Sequence, residues 1–346
     1  MRITVNTYGT YLHVKNKMFE IRVPQKEVKK AASHFYAAHK IKSIVLSTGT
    51  ALSSDAVRLA MQYNVDIVFT EGDGHPLGRV WHSKLGSTTK IRKKQLETSL
   101  SKKGVIYVKE WLSTKLENQR NFIQDLKKHR PQHQAYLDDK IARIEALVVS
   151  LQSLEGETTQ AIADTLRGLE GTAGRLYFET LSYVLPAAYQ FQGRSSRPAK
   201  DAFNACLNYA YGIMYSQVEK ALIIAGLDPY VGFLHRDDYN QLSFVYDFIE
   251  PYRIHAERTV FRLFSGKKIN QTHTMAITNG VSLIKEGKAL LVDAYSQYVE
   301  SDKIRYRGRN QTRSNILQYE AHRLANELIA TTPNDNKDDY LDIIRH

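Results

Sequence analysis

Through the first 82 residues, apolar and polar positions tend to alternate. The run ITVNTYGTYLHVKNKMFEIRV (3–23) does so around a Tyr8-Gly9 break and an Asn16-Lys17 turn, which predicts antiparallel hairpins with one wet face. IKSIVLSTG (41–49) and VDIVFTEGDGHPLGRVW (65–81) add β-rich runs bounded by glycines. Between them SSDAVRLAMQYN (53–64) has apolar residues at helical spacing, with Ser53 and Ser54 as cap candidates, so one short helix is expected.

Beyond residue 88 the period changes to that of long helices. KEWLSTKLENQRNFIQDLKKH (109–129) and QAYLDDKIARIEALVVSLQSL (134–154) flank Pro131, and everything downstream reads as helical. A helix over 201–225 is bounded by Asp201 as N-cap, Gly226 just past its end and Asp228-Pro229. No fixed-period repeat or low-complexity tract is present, and TPNDNKDDYLDI (332–343) is polar enough for a mobile tail. The expected fold class is α+β multidomain: a small N-terminal β-sandwich-like domain (1–88), then a larger all-α domain (89–346). At 346 residues the chain is about twice the usual domain length, so each unit can bury its own core.

Composition narrows the setting. A single cysteine, Cys206, rules out an intramolecular disulfide, and its apolar neighbours place it in a helix core. MRITVNTYGT lacks an apolar stretch of signal-peptide length, and no later run approaches the roughly 18 to 20 apolar residues that span a bilayer. A soluble protein of the reducing cytoplasm, with no membrane partner, is expected. The net charge is +12, and residues 83–130 alone carry thirteen Lys/Arg against four acids. Such clustering suits a phosphate backbone, although a solvated helical face would show the same pattern.

One stretch stands out against this background. FLHRDDYNQLSFVYDFIEPYR (233–253) places Asp247 and Glu250 inside an apolar run, with His235 twelve and fifteen residues ahead of them. Three residues apart, the two acids share one side of a helix, and Pro251 puts them near a first turn or a kink. Burying adjacent carboxylates is costly without a compensating cation. Arg253 supplies one, as a simple helical Glu-Arg pair, but that pair gives His235 no role. LRGLEGTAGRLYFETL (166–181) holds another acid in apolar surroundings: Gly168 is expected to close a helix ending at Arg167, and Glu170 to open the next, beside small residues that a large ligand can approach. Glu170 could equally be a charge complementing a helix N-terminus. Together Glu170, His235 and Glu250, with Asp247 in support, make a ligand set suited to Mg²⁺ or Mn²⁺, with zinc also open. Three protein ligands leave positions for substrate. Ten of the 21 tyrosines lie between Tyr177 and Tyr252, and GRSSRPAKD (193–201) brings Arg194, Arg197 and Lys200; rings and guanidinium groups around a cation suit unpaired nucleic-acid ends.

The segments GLEGTAGRLYF, GRSSRPAKDAFNACLNYAYGIMY, AGLDPYVGFLH and LSFVYDFIEPYR, in this order and spacing, resemble the CRISPR-associated integrase/endonuclease family, the metal-dependent subunit of the spacer-acquisition complex. LSTGTALSSDAVRLAMQYNVDIVFTEGDGHPLGRV (46–80) is similar to that family's β-domain, so the resemblance covers nearly the whole chain. It implies a β-domain used in dimerisation and a helical catalytic domain. By this resemblance Glu170, His235 and Glu250 are metal ligands and Asp247 a supporting acid; Arg194, Arg197 and Asn204 match a segment close to DNA, with Tyr177 and Arg253 as further expected DNA contacts. The implied reaction is attack of an incoming 3′-hydroxyl on a phosphodiester of the CRISPR array. Double-stranded and branched DNA, a homodimer and a small ferredoxin-like acquisition protein are the implied partners. Two other readings remain open from the residues alone: a non-catalytic nucleic-acid scaffold, and a metal hydrolase with a deep, closed small-molecule pocket.

Overall fold

The computed structural model describes residues 1–25, 31–72, 74–80, 88–235, 239 and 241–330. The N-terminal part holds two four-stranded sheets. Its elements are β1 (Arg2–Val5), β2 (Tyr11–Lys15), β3 (Met18–Val23), β4 (Ala32–Ala37), β5 (Ser43–Ser47), β6 (Ala51–Leu52), helix α1 (Ser54–Gln62), β7 (Asp66–Thr70) and β8 (Pro76–Val80). One sheet runs β4-β3-β2-β6 and the other β1-β5-β7-β8.

The hairpin expectation holds for the first sheet. Asn16 and Lys17 both adopt positive φ (52° and 59°), the geometry of a two-residue hairpin turn, and β2, β3 and β4 pair antiparallel. In the second it holds for β7-β8, which pair antiparallel, and fails for β1-β5 and β5-β7, which are parallel. The reason lies in the runs IVL and DIV, buried on successive positions instead of alternate ones. That is the pattern of strands covered on both faces, and α1 supplies the crossover that parallel pairing requires. Ser53 caps α1, its Oγ accepting from the Ala56 N–H at 3.2 Å. Leu12, Phe19, Ile44, Leu46 and Ile67 are sealed between the layers.

The rest is mostly helical. It comprises α2 (Thr88–Ser99), α3 (Lys102–Lys127), α4 (Gln134–Ser153), α5 (Thr159–Val184), α6 (Ala202–Ile224), α7 (Ser243–Phe248), α8 (Arg253–Ser265), α9 (Lys285–Ser296) and α10 (Arg313–Ile329). Pro131 punctuates α3 and α4 as read from sequence. Helix α6 is apolar on almost every side and therefore runs through the core, with Cys206 fully enclosed. Its N-cap is Asp201, whose Oδ1 accepts from the Asn204 N–H at 2.7 Å, and Gly226 follows its end at φ +82°.

The β part rests on α6. The β7–β8 turn lies so close that a Cβ on Gly212 would come within 2.6 Å of the Gly74 carbonyl oxygen. Arg79, almost buried, reaches from β8 to the Ser216 carbonyl (2.9 Å) and to Glu219 (2.6 Å).

Two expectations change. First, α5 is one unbroken helix, so Glu170 sits in its middle and is not an N-terminal charge. Gly168, Gly171 and Gly174 cost helix propensity, but Ile162, Ala163, Leu166, Ala173, Leu176 and Tyr177 pack against the core on both sides of them and carry the helix through. Second, two hairpins interrupt the helical part: β9 (Thr274–Ile277) with β10 (Gly280–Leu283), and β11 (Lys303–Tyr306) with β12 (Arg309–Thr312). Each closes through two residues, Thr278-Asn279 with Asn279 at φ 60°, and Arg307-Gly308 at φ 45° and 80°. The polar tail 332–343 and the stretch 81–87 at the expected domain boundary lie outside the described residues. No helix among the described residues is long and apolar enough to cross a membrane.

Candidate active site

Asp247 is buried at the end of α7, where Pro251 interrupts the helical ladder and a tight turn (Glu250–Tyr252) leads into α8. Its isolation is apparent only, because every lone-pair direction is used. Oδ2 accepts from the Phe233 and Leu234 N–H groups (2.6 and 3.0 Å), while Oδ1 accepts from the His235 N–H (3.2 Å) and lies 2.6 Å from His235 Nδ1. The arrangement shapes the loop and fixes the ring: with Nδ1–H donating to the carboxylate, Nε2 is the nitrogen left for a ligand.

Glu170 and Glu250 come from different helices and meet at one cation. The Lys115 ammonium, on the buried face of α3, hydrogen-bonds Glu170 Oε1 and lies 2.5 Å from Glu250 Oε2. On its other side Glu250 Oε1 accepts from Arg253 Nε at 2.8 Å, the helical pair anticipated from sequence. Burial pushes the Glu250 carboxyl up, but Arg253 and Lys115 outweigh it and hold the group at about 2. Burial likewise opposes the charge on Lys115, yet Glu250 and Glu170 raise its pKa above the ordinary value. Glu250, Lys115 and Arg253 are therefore all charged at neutral pH. Glu250 Oε2 thus meets the ammonium as an ion pair without an aligned hydrogen bond.

Glu170, His235, Glu250, Arg194 and Arg253 line one cleft of about 250 Å³. From Glu170 and Arg194 a wider open groove of about 910 Å³ leads past Gly171, Gly174 and Arg175 to Tyr136 and Tyr183, whose rings stack at 4.0 Å. In their present packing no three His, Cys, Asp or Glu side chains among the described residues are gathered tightly enough to hold a metal ion. The two carboxylates instead share Lys115.

The expected DNA contacts divide. Arg194 is exposed, lies over the Tyr211 ring at 5.5 Å and is steadied by Asn204 Oδ1 (3.1 Å). Arg197, also exposed, is 3.0 Å from His75 Nδ1. Arg253 reaches the cleft but is held by Glu250, the Tyr215 hydroxyl (3.0 Å) and the Tyr211 ring. Tyr177 and Asn204 cannot touch a strand, because both are fully enclosed. Asn204 serves the 193–195 loop, donating to the Gly193 carbonyl and accepting from the Ser195 N–H. Tyr177 fills the core, and burial raises its hydroxyl pKa far above the ordinary value.

The basic run 83–130 is also less free than its charge implies. Lys94, Lys102, Arg120, Lys127 and Lys128 pair with Glu97, Glu157, Glu145, Asp138 and Asp125, so much of the segment is a salt-bridged surface and not an open phosphate track. Lys84 lies outside the described residues.

Two residues at the cleft were not singled out from sequence. Lys115 falls on the stripe Val108, Trp111, Lys115, Gln119 of α3, a lysine at a core position of the period. Glu257 falls on the stripe Ile254, Glu257, Phe261 of α8; it accepts from the Tyr211 hydroxyl at 2.7 Å, and burial raises its pKa. In both cases a charge in a buried register was the available signal.

The family model "CRISPR associated protein Cas1" matches residues 3–297. The chain belongs to the Cas1 family. Among curated Cas1 proteins it is 32% identical over 328 residues to a CRISPR-associated endonuclease Cas1 of Archaeoglobus fulgidus, covering 92% of this chain and 93% of the relative. A second Cas1 endonuclease, from Thermodesulfovibrio yellowstonii, is 26% identical and covers 86% and 94%. Among solved structures, a Cas1 protein from Thermotoga maritima superposes with a TM-score of 0.77 at 19% identity, covering 95% of this chain and 97% of that one. A casposase bound to its integration product superposes at 0.83 and 20% identity, covering 99% and 97%. The Cas1 fold, a β-strand region followed by a mostly helical domain, is thus shared along the chain's length.

Proposed function

We propose that this Cas1-family chain is a divalent-metal-dependent DNA integrase and endonuclease that inserts short duplex DNA into a CRISPR array. The observation that carries the reading is the convergence of Glu170 and Glu250, from different helices, on a single cation in the cleft that His235 also lines. Its relatives are CRISPR-associated endonucleases, and a structural neighbour is a casposase with an integration product, which support the same reading.

The residues fit a hard divalent ion. Two carboxylates already share one positive centre, and Asp247 fixes His235 so that Nε2 is free to ligate. Glu170, His235 and Glu250 would hold Mg²⁺ or Mn²⁺, which when bound supplies positive charge to the attacked phosphate and to a reacting oxygen. The protein's own part is positioning. Arg194, exposed between cleft and groove, offers a guanidinium to a phosphate; Tyr136 and Tyr183 offer faces on which unpaired bases stack. The incoming 3′-hydroxyl oxygen forms a bond to phosphorus as the target strand's P–O bond breaks, and the released 3′-oxygen takes up a proton. Because the cleft opens into the long groove, a polymer end fits it better than a sealed small-molecule pocket would.

We place dimerisation on the N-terminal β region (1–88) and catalysis on the helical part (89–346), with a second copy of the chain and a small ferredoxin-like acquisition protein as partners in the cytoplasm. A structural neighbour belonging to a Cas6-RT-Cas1–Cas2 complex supports the last partner.

The test supplies labelled 3′-ended duplexes, a repeat-containing target and branched DNA, with and without MnCl₂. Joined and cleaved products are expected only with the metal. DNA binding that weakens steeply with salt, with no product under any divalent ion, would instead identify a scaffold.

A further inference from the structure

Lys115 marks the point where the two acids converge, but the reading above gives it no part in the chemistry. Its ammonium is almost buried, with 9% side-chain exposure, and contacts both carboxylates assigned to the metal. Neither acid needs it individually: Glu250 is already neutralised by Arg253, and Glu170 keeps 34% of its side chain in solvent. What needs a cation is their convergence, since two carboxylates brought to one point compete unless a positive group lies between them.

We propose that Lys115 is a built-in competitor for the divalent ion, occupying the space between Glu170 and Glu250 until the metal displaces it. This inference rests on the metal reading and deepens it. The two cations beside Glu250 differ in how firmly they are anchored. Arg253 is tied to the Tyr215 hydroxyl and lies over the Tyr211 and Tyr215 rings at 5.0 and 5.6 Å. Lys115 is a point charge on a four-carbon stem, with the carboxylates as its ion-pair partners, so it can swing aside without moving α3. A divalent ion entering with Lys115 still in place would meet a like charge between its own ligands. Once displaced, the ammonium stays in the cleft wall, where it faces an incoming phosphodiester. Lys115 is thus a positioning residue that holds the acids together and delays metal loading.

Manganese titration of the full chain without DNA tests this, comparing wild type with Lys115→Met and Lys115→Gln by calorimetry, and by thermal denaturation in EDTA and in MnCl₂. Both variants are expected to bind Mn²⁺ at least tenfold more tightly, to melt lower than wild type in EDTA, and to gain more from Mn²⁺. Should Met destabilise the buried site too far, Gln keeps a polar contact to the carboxylates. Equal or weaker Mn²⁺ affinity in the variants would overturn the competitor role while leaving the metal site standing. Absence of Mn²⁺ binding by wild type and variants alike would overturn both.

Discussion

His235→Ala is expected to lower strand transfer by about a thousandfold while leaving the protein folded and still able to bind DNA. Loss of one ligand from a cation that stabilises transition-state charge removes several kcal/mol, and each 1.4 kcal/mol is about a factor of ten. The stability effect should be small, because the ring is half-exposed and Asp247 keeps its three backbone donors without it. The other two positions are less clean probes. Glu250→Ala strands Lys115 and Arg253 in a buried cleft, and breaking such a pair costs about 3–5 kcal/mol, so lost activity there mixes chemistry with folding. Strand-transfer rates alongside thermal melts separate the cases: His235→Ala should be inactive with a near-native melt. Normal integration by this variant in Mn²⁺ would remove His235 from the site.

Asp247→Ala is expected to be the more damaging change to structure. It strips acceptors from the Phe233, Leu234 and His235 amides at once, along with the partner of His235 Nδ1. Unsatisfied buried donors cost about 1–3 kcal/mol each, so a loss of about 3–5 kcal/mol is expected, with activity lost as the loop and ring lose their orientation. Asp247→Asn should fail too, and for an instructive reason. Both oxygens receive hydrogen bonds, and an amide would aim its NH₂ at donors; only an ionised carboxylate accepts from every side. Denaturant melts should therefore show Asn destabilised along with Ala. If Asn matched wild type in melt and activity, the four-donor arrangement would not be what holds His235.

Much of this was legible along the chain because it is local. The caps at Ser53 and Asp201, the Asn16-Lys17 turn and the Gly226 stop each depend on one or two residues whose backbone preferences are strong. The helical kink at Pro251 follows from a missing N–H. Glu170 was misplaced within its helix because glycine lowers propensity without ending a helix that tertiary packing supports. The hairpins at 274–283 and 303–312 were read through as helix, although Asn279-Gly280 and Arg307-Gly308 are turn signals. Parallel pairing in the β1-β5-β7-β8 sheet required attention to unbroken apolar runs in place of alternation. Long-range facts were out of reach: nothing local says that Lys115 joins Glu170 and Glu250, or that several cations of 83–130 already have partners.

The central claim is that Glu170, His235 and Glu250 bind one divalent ion at a cleft open to DNA. Anomalous scattering from crystals soaked in MnCl₂ tests it most directly. A single manganese peak is expected between the two carboxylates and His235 Nε2, with the Lys115 ammonium moved off its present position. Manganese found only elsewhere, with Lys115 still bridging Glu170 and Glu250, would contradict the account.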